Sequence, residues 1–180
     1  MPRPSASKVL RPLRYQVATS LDGYIAGPKG EFDWIPMDPE IDFPALWSAY
    51  DTVVMGRKTF EASGAMATGM KGIQVVVYST TLDPAKHKKA TIVRTDPVAH
   101  VRALKARPGK DIWLFGGGAL FGSLLAAGVV DTVEPAVCPI LLGGGIPLLP
   151  TPAAQTKLTL TAQRVYETSG IVLLEYAVSR

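Results

Sequence analysis

From Tyr15 to Gly128 the chain alternates short apolar, β-branched runs with stretches of helical character, and this alternation restricts the fold more than any other feature. The β-type runs are Tyr15 to Ser20, Thr52 to Met55, Gln74 to Ser79, Thr91 to Arg94 and Ile112 to Phe115. Helical stretches lie near Phe43 to Tyr50, at Arg57 to Ala62, from about Val98 to Ala106 ahead of Pro108-Gly109, and from Ala119 to Ala127 ahead of Gly128. Strand, crossover and strand in succession give a parallel sheet with helices packed on it. After Gly128 the character changes: Thr132 to Val137 reads as a strand, and Leu158 to Tyr166 and Ile171 to Val178 read as a hairpin turned at Thr168-Ser169-Gly170. The expected fold is therefore α/β, with a mostly parallel sheet that ends in antiparallel strands.

Composition bounds the function. A chain of 180 residues with 47% hydrophobic content can bury one substantial core, so one globular domain is expected. It has no apolar run of about 18 residues or more, so no membrane span is expected. Met1 to Leu13 combines Pro2, Pro4 and Pro12 with Arg3, Lys8 and Arg11, and lacks the apolar stretch of a signal peptide. It reads as a loose tail (residues 1–13) ahead of a domain at 14–180, in a cytoplasmic protein. The single Cys138, flanked by Val137 and Pro139, reads as an inert core thiol. A net charge of +4 is mild, and the one dense basic cluster, Lys86-His87-Lys88-Lys89, follows Asp83-Pro84 as a solvated loop would. Without a basic stripe interleaved with aromatics, nucleic acid is not an expected partner; small anions are.

Three strand ends carry the chemistry. Gly116-Gly117-Gly118 joins the Ile112 to Phe115 strand to a helix, and glycines at a helix start let bare amides and the positive end of the dipole meet a phosphate. The alternative is a tight turn with close strand-to-helix packing. Gly56-Arg57-Lys58-Thr59 repeats the arrangement after Thr52 to Met55 and adds a cation, with Arg57 offering a planar fork and Thr59 a hydroxyl. Ser79-Thr80-Thr81 ends a third strand of the same sheet, where ligands collect at carboxyl ends. Three such ends point to a dinucleotide. Other signatures fail. Phe121 stands where a Rossmann fingerprint needs glycine, and Gly64 to Gly69 is followed by Met70-Lys71 where a P-loop needs Lys and then Ser or Thr. There is no G-x-S-x-G elbow, and His87 and His100 have no acidic or cysteine neighbours at metal-ligand spacing, so no metal is expected. A second glycine run, Gly143-Gly144-Gly145, lacks a following helix because Pro147 and Pro150 come so soon.

These motifs, taken in order, resemble the dihydrofolate reductase-like superfamily, and within it the reductase domain of bacterial riboflavin biosynthesis. The resemblance runs from about Arg14 to Val178. It is carried by Val17-Ala18-Thr19-Ser20-Leu21-Asp22-Gly23-Tyr24-Ile25-Ala26, Met55-Gly56-Arg57-Lys58-Thr59-Phe60-Glu61, Gly116 to Phe121 and Pro139 to Leu148. It implies a three-layer α/β/α fold, NADPH across the carboxyl edge of the sheet, hydride transfer to a pyrimidine or pterin-like heterocycle, and a homodimer. It also implies that Gly56, Arg57 and Thr59, with Ser79 and Thr80 beside them, hold the ribose 2′-phosphate region. By the same resemblance Gly117, Gly118, Ala119 and Leu120 take the pyrophosphate, and Ala18, Thr19 and Ile25 border the nicotinamide.

The substrate half stays open. Counting back from Gly56, Glu40 falls where folate reductases place a pterin-gripping carboxylate, or it only favours the start of the nearby helix. Asp22 is either a substrate-side carboxylate or the shaper of the Asp22-Gly23 turn, and Trp34 either stacks on a flat ring or caps the core. The resemblance favours the riboflavin branch, with 5-amino-6-(5-phosphoribosylamino)uracil as one substrate, over dihydrofolate. No H-x-E with paired C-x-x-C marks the deaminase domain often fused to that reductase, so a stand-alone paralogue with a divergent substrate is a further expectation, and a non-catalytic NADP-binding sensor is the alternative of another class.

Overall fold

The structure is a computed structural model that describes residues 10–63 and 65–179. In chain order the elements are β1 (Leu13–Ser20), β2 (Tyr24–Ala26), α1 (Phe43–Ser48), β3 (Tyr50–Gly56), α2 (Arg57–Ser63), α3 (Ala65–Gly69) and β4 (Gln74–Tyr78). After a 3-10 turn at Pro84–Lys86 come β5 (Thr91–Val93), α4 (Pro97–Lys105), β6 (Asp111–Gly116), α5 (Gly118–Ala126), β7 (Thr132–Cys138), β8 (Ile146–Pro147), β9 (Leu158–Tyr166) and β10 (Ile171–Val178). The expected strands and helices all appear. Sequence reading passed over β2, β8 and α3, which are too short to carry a period of their own.

The main sheet has the order β5-β4-β3-β6-β1-β7-β10-β9. Neighbours from β5 to β7 are parallel, and the antiparallel pairings of β10 with β7 and of β9 with β10 close the far side. Because side chains alternate along a strand, each face receives its own core. Leu13, Tyr15, Val54, Val76, Ile112 and Leu114 lie beneath Val101 and Leu104 of α4 and Phe121 and Leu124 of α5. On the other face Val53, Met55, Val75, Val77 and Trp113 pack with Leu46 and Trp47 of α1 and Phe60 of α2. This is the expected three-layer α/β/α fold, held by many buried aliphatic side chains worth roughly 1.5–3 kcal/mol each. A smaller cluster of Cys138, Tyr166 and Ile171, joined by Ala18, Trp34, Ile35 and Leu173, fills the carboxyl half of the β1–β7–β10 wing. Cys138 is wholly buried, and burial pushes its thiol up to about 11, which suits an unreactive core residue.

Charges bind the amino edge together. Arg14 donates to both Glu134 carboxylate oxygens at 2.7 and 2.8 Å and to Asp111 at 3.2 Å. Glu134, 1% exposed, also accepts from the Thr132 hydroxyl at 2.6 Å. Arg11 pairs with Asp51, and Lys105 with Asp131. Of the tail expected at residues 1–13, residues 1–9 lie outside the described residues, whereas Arg11 and Leu13 are buried and Leu13 opens β1. No helix among the described residues is long and apolar enough to cross a membrane.

Candidate functional site

In parallel strands the carboxyl ends share one edge, so β1, β3, β4 and β6 deliver Ser20, Gly56, Ser79 and the Gly116 run to the same side of the molecule. The centre of that edge is split. β1 pairs with β6 only from Leu13 to Tyr15, opposite Ile112 to Leu114, although β1 continues to Ser20 and β6 to Gly116. Next along β1, the Gln16 carbonyl accepts from the Trp113 indole N–H at 2.9 Å, a side chain in place of a strand. On the other side of β6, Val54 pairs with Leu114 but Met55 with Gly116, so Phe115 is an extra residue that turns the end of β6 away. Val17 and Ala18 are consequently only half-buried in a central strand. This is also where the strand order reverses direction, the usual location of a ligand crevice in an α/β sheet.

The first turns of α2 and α5 meet beside that split. A Cβ on Gly117 would stand 3.1 Å from the Thr59 hydroxyl oxygen, which places Thr59 directly against the glycine run. Gly116 has φ +145°, a conformation that suits glycine, and the Gly116–Gly117 peptide is cis. Gly117 caps α5 without a side-chain hydrogen bond, so among the described residues no side chain caps the start of this helix. By contrast, Asp96 caps α4 by accepting from Val98 and Ala99. A Cβ on Gly56 would meet nothing within 4 Å, so the glycine is not required by the protein's own packing there. Gly118 is the opposite case: a Cβ would lie 2.5 Å from the Pro147 carbonyl oxygen and 3.2 Å from that of Leu148. Close packing against the loop that follows Gly143-Gly144-Gly145 accounts for Gly118, while Ala119 is exposed and Leu120 half-buried.

Next to α2, a cleft of about 430 Å³ is lined by Arg57, Ser79, Thr80 and Thr81, with Arg94, Thr95 and Pro97 opposite and Tyr78 and Val93 completing the lining. Arg57 donates to both carboxylate oxygens of Glu61, one turn further along α2, at 3.0 and 2.8 Å. The Ser79 hydroxyl accepts from the Thr81 and Leu82 amides at 3.2 and 3.0 Å and so shapes the turn, leaving Thr80 exposed. Sequence reading missed Arg94. Its signal was available, since Arg94 ends a run already expected to be a parallel strand and therefore reaches the same edge.

The loops after β1 and β7 are tied together. The exposed Asp22 carboxylate accepts from the Ser20 hydroxyl at 2.6 Å and from the Leu142 and Gly143 amides at 3.1 and 2.7 Å. The Ser20 hydroxyl, helped by those two amides, holds the Asp22 carboxyl below the usual aspartate range. β2 pairs with β8, placing Ile25 in a two-stranded ribbon. The Thr19 hydroxyl is buried within reach of the Ser20 and Tyr24 carbonyls, at 3.1 and 3.2 Å. Trp34 packs on the Cys138 cluster beside Ala18, and its indole N–H donates to the Glu31 carbonyl at 3.0 Å. Glu40 lies apart at the surface, 3.6 Å from Arg164 of β9, and the carboxylate that caps α1 is Asp42.

A carboxyl edge with uncapped helix amides, a vacant glycine flank and two arginines among hydroxyls fits a phosphorylated nucleotide, and the fold that presents it is that of the dihydrofolate reductase-like proteins. The chain belongs to the RibD C-terminal domain family, whose pattern matches residues 11–173. It is 31% identical over 173 residues to the uncharacterised protein YyaP of Bacillus subtilis, covering 89% of this chain and 91% of that one. A Shewanella sp. PV-4 protein assigned to riboflavin biosynthesis superposes with a TM-score of 0.79 at 28% identity, covering 94% of this chain and 99% of the other. The dihydrofolate reductase of Enterococcus faecalis, solved with NADP(H) and RAB-propyl, shares the fold with a TM-score of 0.70 at 16% identity, covering 94% and 97%.

Proposed function

We propose that this protein is an NADPH-dependent reductase that delivers hydride to a pyrimidine or pterin-like heterocycle, with 5-amino-6-(5-phosphoribosylamino)uracil as the first substrate to test. The observation that carries the reading is the split between β1 and β6, flanked by the uncapped start of α5 and by the arginine-lined cleft. Family membership supports the reductase of riboflavin biosynthesis, and the folate reductase with the same fold binds NADP(H).

In this reading Arg57, Thr80 and Arg94 hold the adenosine-side phosphate, and Ser79 and Thr81 shape the turn that presents them. Gly56 and Thr59 line the path to α5, where the Gly117 to Leu120 amides receive the pyrophosphate. Ala18, Thr19 and Ile25 border the nicotinamide at the opened half of β1. When bound, the cofactor supplies the hydride. The chain's part is to hold the reacting carbons together and to exclude water. Asp22 serves that part by tying the two loops over the site, so it acts as a positioning residue, and Trp34 forms one wall beside Ala18. Glu40, paired with Arg164 at the surface, is left with no direct part. The homodimer fits the exposed β9–β10 face, where Leu158, Leu160 and Val165 are 42%, 48% and 57% exposed with no charge among them or among their partners Val178, Tyr176 and Val172.

The test is NADPH consumption, followed optically, with the phosphoribosylaminouracil, simpler pyrimidinones, pterins and dihydrofolate as acceptors. Turnover with a pyrimidine supports the riboflavin branch and turnover with dihydrofolate the folate branch. Saturable NADPH binding without consumption across the whole panel would overturn the enzyme reading in favour of a sensor.

A further inference from the structure

The cleft beside α2 holds two arginines in different states. Arg57 donates from one guanidinium nitrogen, Nη1, to both Glu61 carboxylate oxygens. Arg94 donates one bond to the Leu82 carbonyl, at 2.9 Å, and forms no ion pair among the described residues. No carboxylate lines this cleft. Two helix starts border the cleft: that of α4 is taken by Asp96, and α2 opens at Arg57 itself. The charge for anion recognition in the cleft therefore comes from the two guanidinium groups, and one of them is already shared with a carboxylate.

A guanidinium offers the same planar fork to a carboxylate and to a phosphate. The exchange is favourable for a phosphate monoester, which carries roughly −1.5 to −2 charges at neutral pH against the single charge of a carboxylate. It is also accessible, because the Arg57 and Glu61 side chains are 41% and 47% exposed and an ion pair so solvated is weak. We propose that Glu61 is a resident competitor that sets the affinity of this cleft for a phosphate monoester: Arg94 makes the first contact, and Arg57 then leaves Glu61 for the phosphate. The inference rests on the NADPH reading of the site. A nucleotide without the 2′-phosphate leaves Arg57 on Glu61, so no cation is stranded and nothing is gained. A nucleotide with it must displace Glu61, which lowers its affinity below what two free arginines would give. Arg94, with no carboxylate to surrender, contributes more than Arg57.

The test titrates the full chain with 2′,5′-ADP and with 5′-AMP, which share the 5′-phosphate and differ only by the 2′-phosphate monoester, and needs no turnover. Glu61→Gln keeps the side-chain shape, and its exposed position makes an unchanged thermal midpoint the expected control. This variant should tighten 2′,5′-ADP about three-fold and leave 5′-AMP unchanged. Arg94→Ala should weaken 2′,5′-ADP about ten-fold, more than Arg57→Ala does, again without effect on 5′-AMP. If the unaltered protein binds neither nucleotide, the NADPH reading falls and this inference with it. If it prefers 2′,5′-ADP and Glu61→Gln leaves that preference unchanged, or Arg94→Ala weakens both nucleotides equally, the inference alone is overturned.

Discussion

The two edges of the sheet are built on opposite plans. At the amino edge Arg14, Glu134 and Asp111 close a network, while Arg11 and Lys105 each meet a carboxylate. At the carboxyl edge the strands separate, a helix starts without a side-chain cap, and two arginines border a cleft with no carboxylate in its lining. Paired charges on one side keep the parallel strands in register, because a buried ion loses its compensation if its partner moves. Donors left over on the other side cost little while water solvates them and become useful only when an anion arrives. The difference separates residues that hold the fold from residues that hold a ligand, and it can be broken at either edge.

The largest effect is expected at the closed edge. Arg14→Met leaves the Glu134 carboxylate buried with the Thr132 hydroxyl as its remaining side-chain hydrogen-bond donor among the described residues, and should cost about 3–5 kcal/mol in chemical denaturation while the protein that stays folded keeps its nucleotide affinity. Next come the two glycines of the open edge, which differ in what surrounds them. Gly118→Ala drives a methyl into the Pro147 carbonyl and should cost roughly 1–3 kcal/mol of stability. Gly56→Ala meets no protein atom, so its stability should change by less than about 0.5 kcal/mol, and any loss should appear in NADPH affinity alone. Arg57→Ala removes a charge-assisted contact already offset by Glu61, so NADPH should weaken relative to NADH by roughly 1 kcal/mol, read by titration.

The smallest effect concerns the loop tie at Asp22. Its carboxyl titrates below the ordinary 3.8 in the folded protein, so the tie contributes fully above that value and is lost only as pH falls through the lower folded value. Amide exchange at Leu142 and Gly143 should therefore stay slow through the neutral range. Asp22→Asn should speed it severalfold without unfolding the protein.

Much of the fold was legible because periodicity is local. The β-branched runs at Thr52 to Met55 and Val75 to Val77 and the glycine stops at Gly109 and Gly128 each declare themselves within a few residues. The split between β1 and β6 does not. It depends on an extra residue, Phe115, counted against β3, and on Trp113 reaching Gln16, contacts between segments about 60 and 97 residues apart in sequence that leave no local pattern. The candidate site divides the same way. Strand-end motifs identified Gly56, Arg57, Ser79 and the Gly116 run from sequence, whereas Arg94 lay unnoticed at the end of a strand that had been recognised. The need for glycine at 118, as distinct from the use of its amide, comes from the Pro147 backbone, a partner that the second glycine run brings in. Glu40 was placed by counting without gaps, and the capping residue of α1 proved to be Asp42, two positions further on.

In the proposed function the open carboxyl edge holds NADPH and recognises the phosphate that distinguishes it from NADH. Calorimetric titration of the purified protein with both cofactors tests this most directly. The predicted result is saturable binding of NADPH at least about ten-fold tighter than NADH, the preference expected from one charge-assisted phosphate contact. Equal affinity for the two cofactors, or no heat and no thermal protection from either, would contradict it.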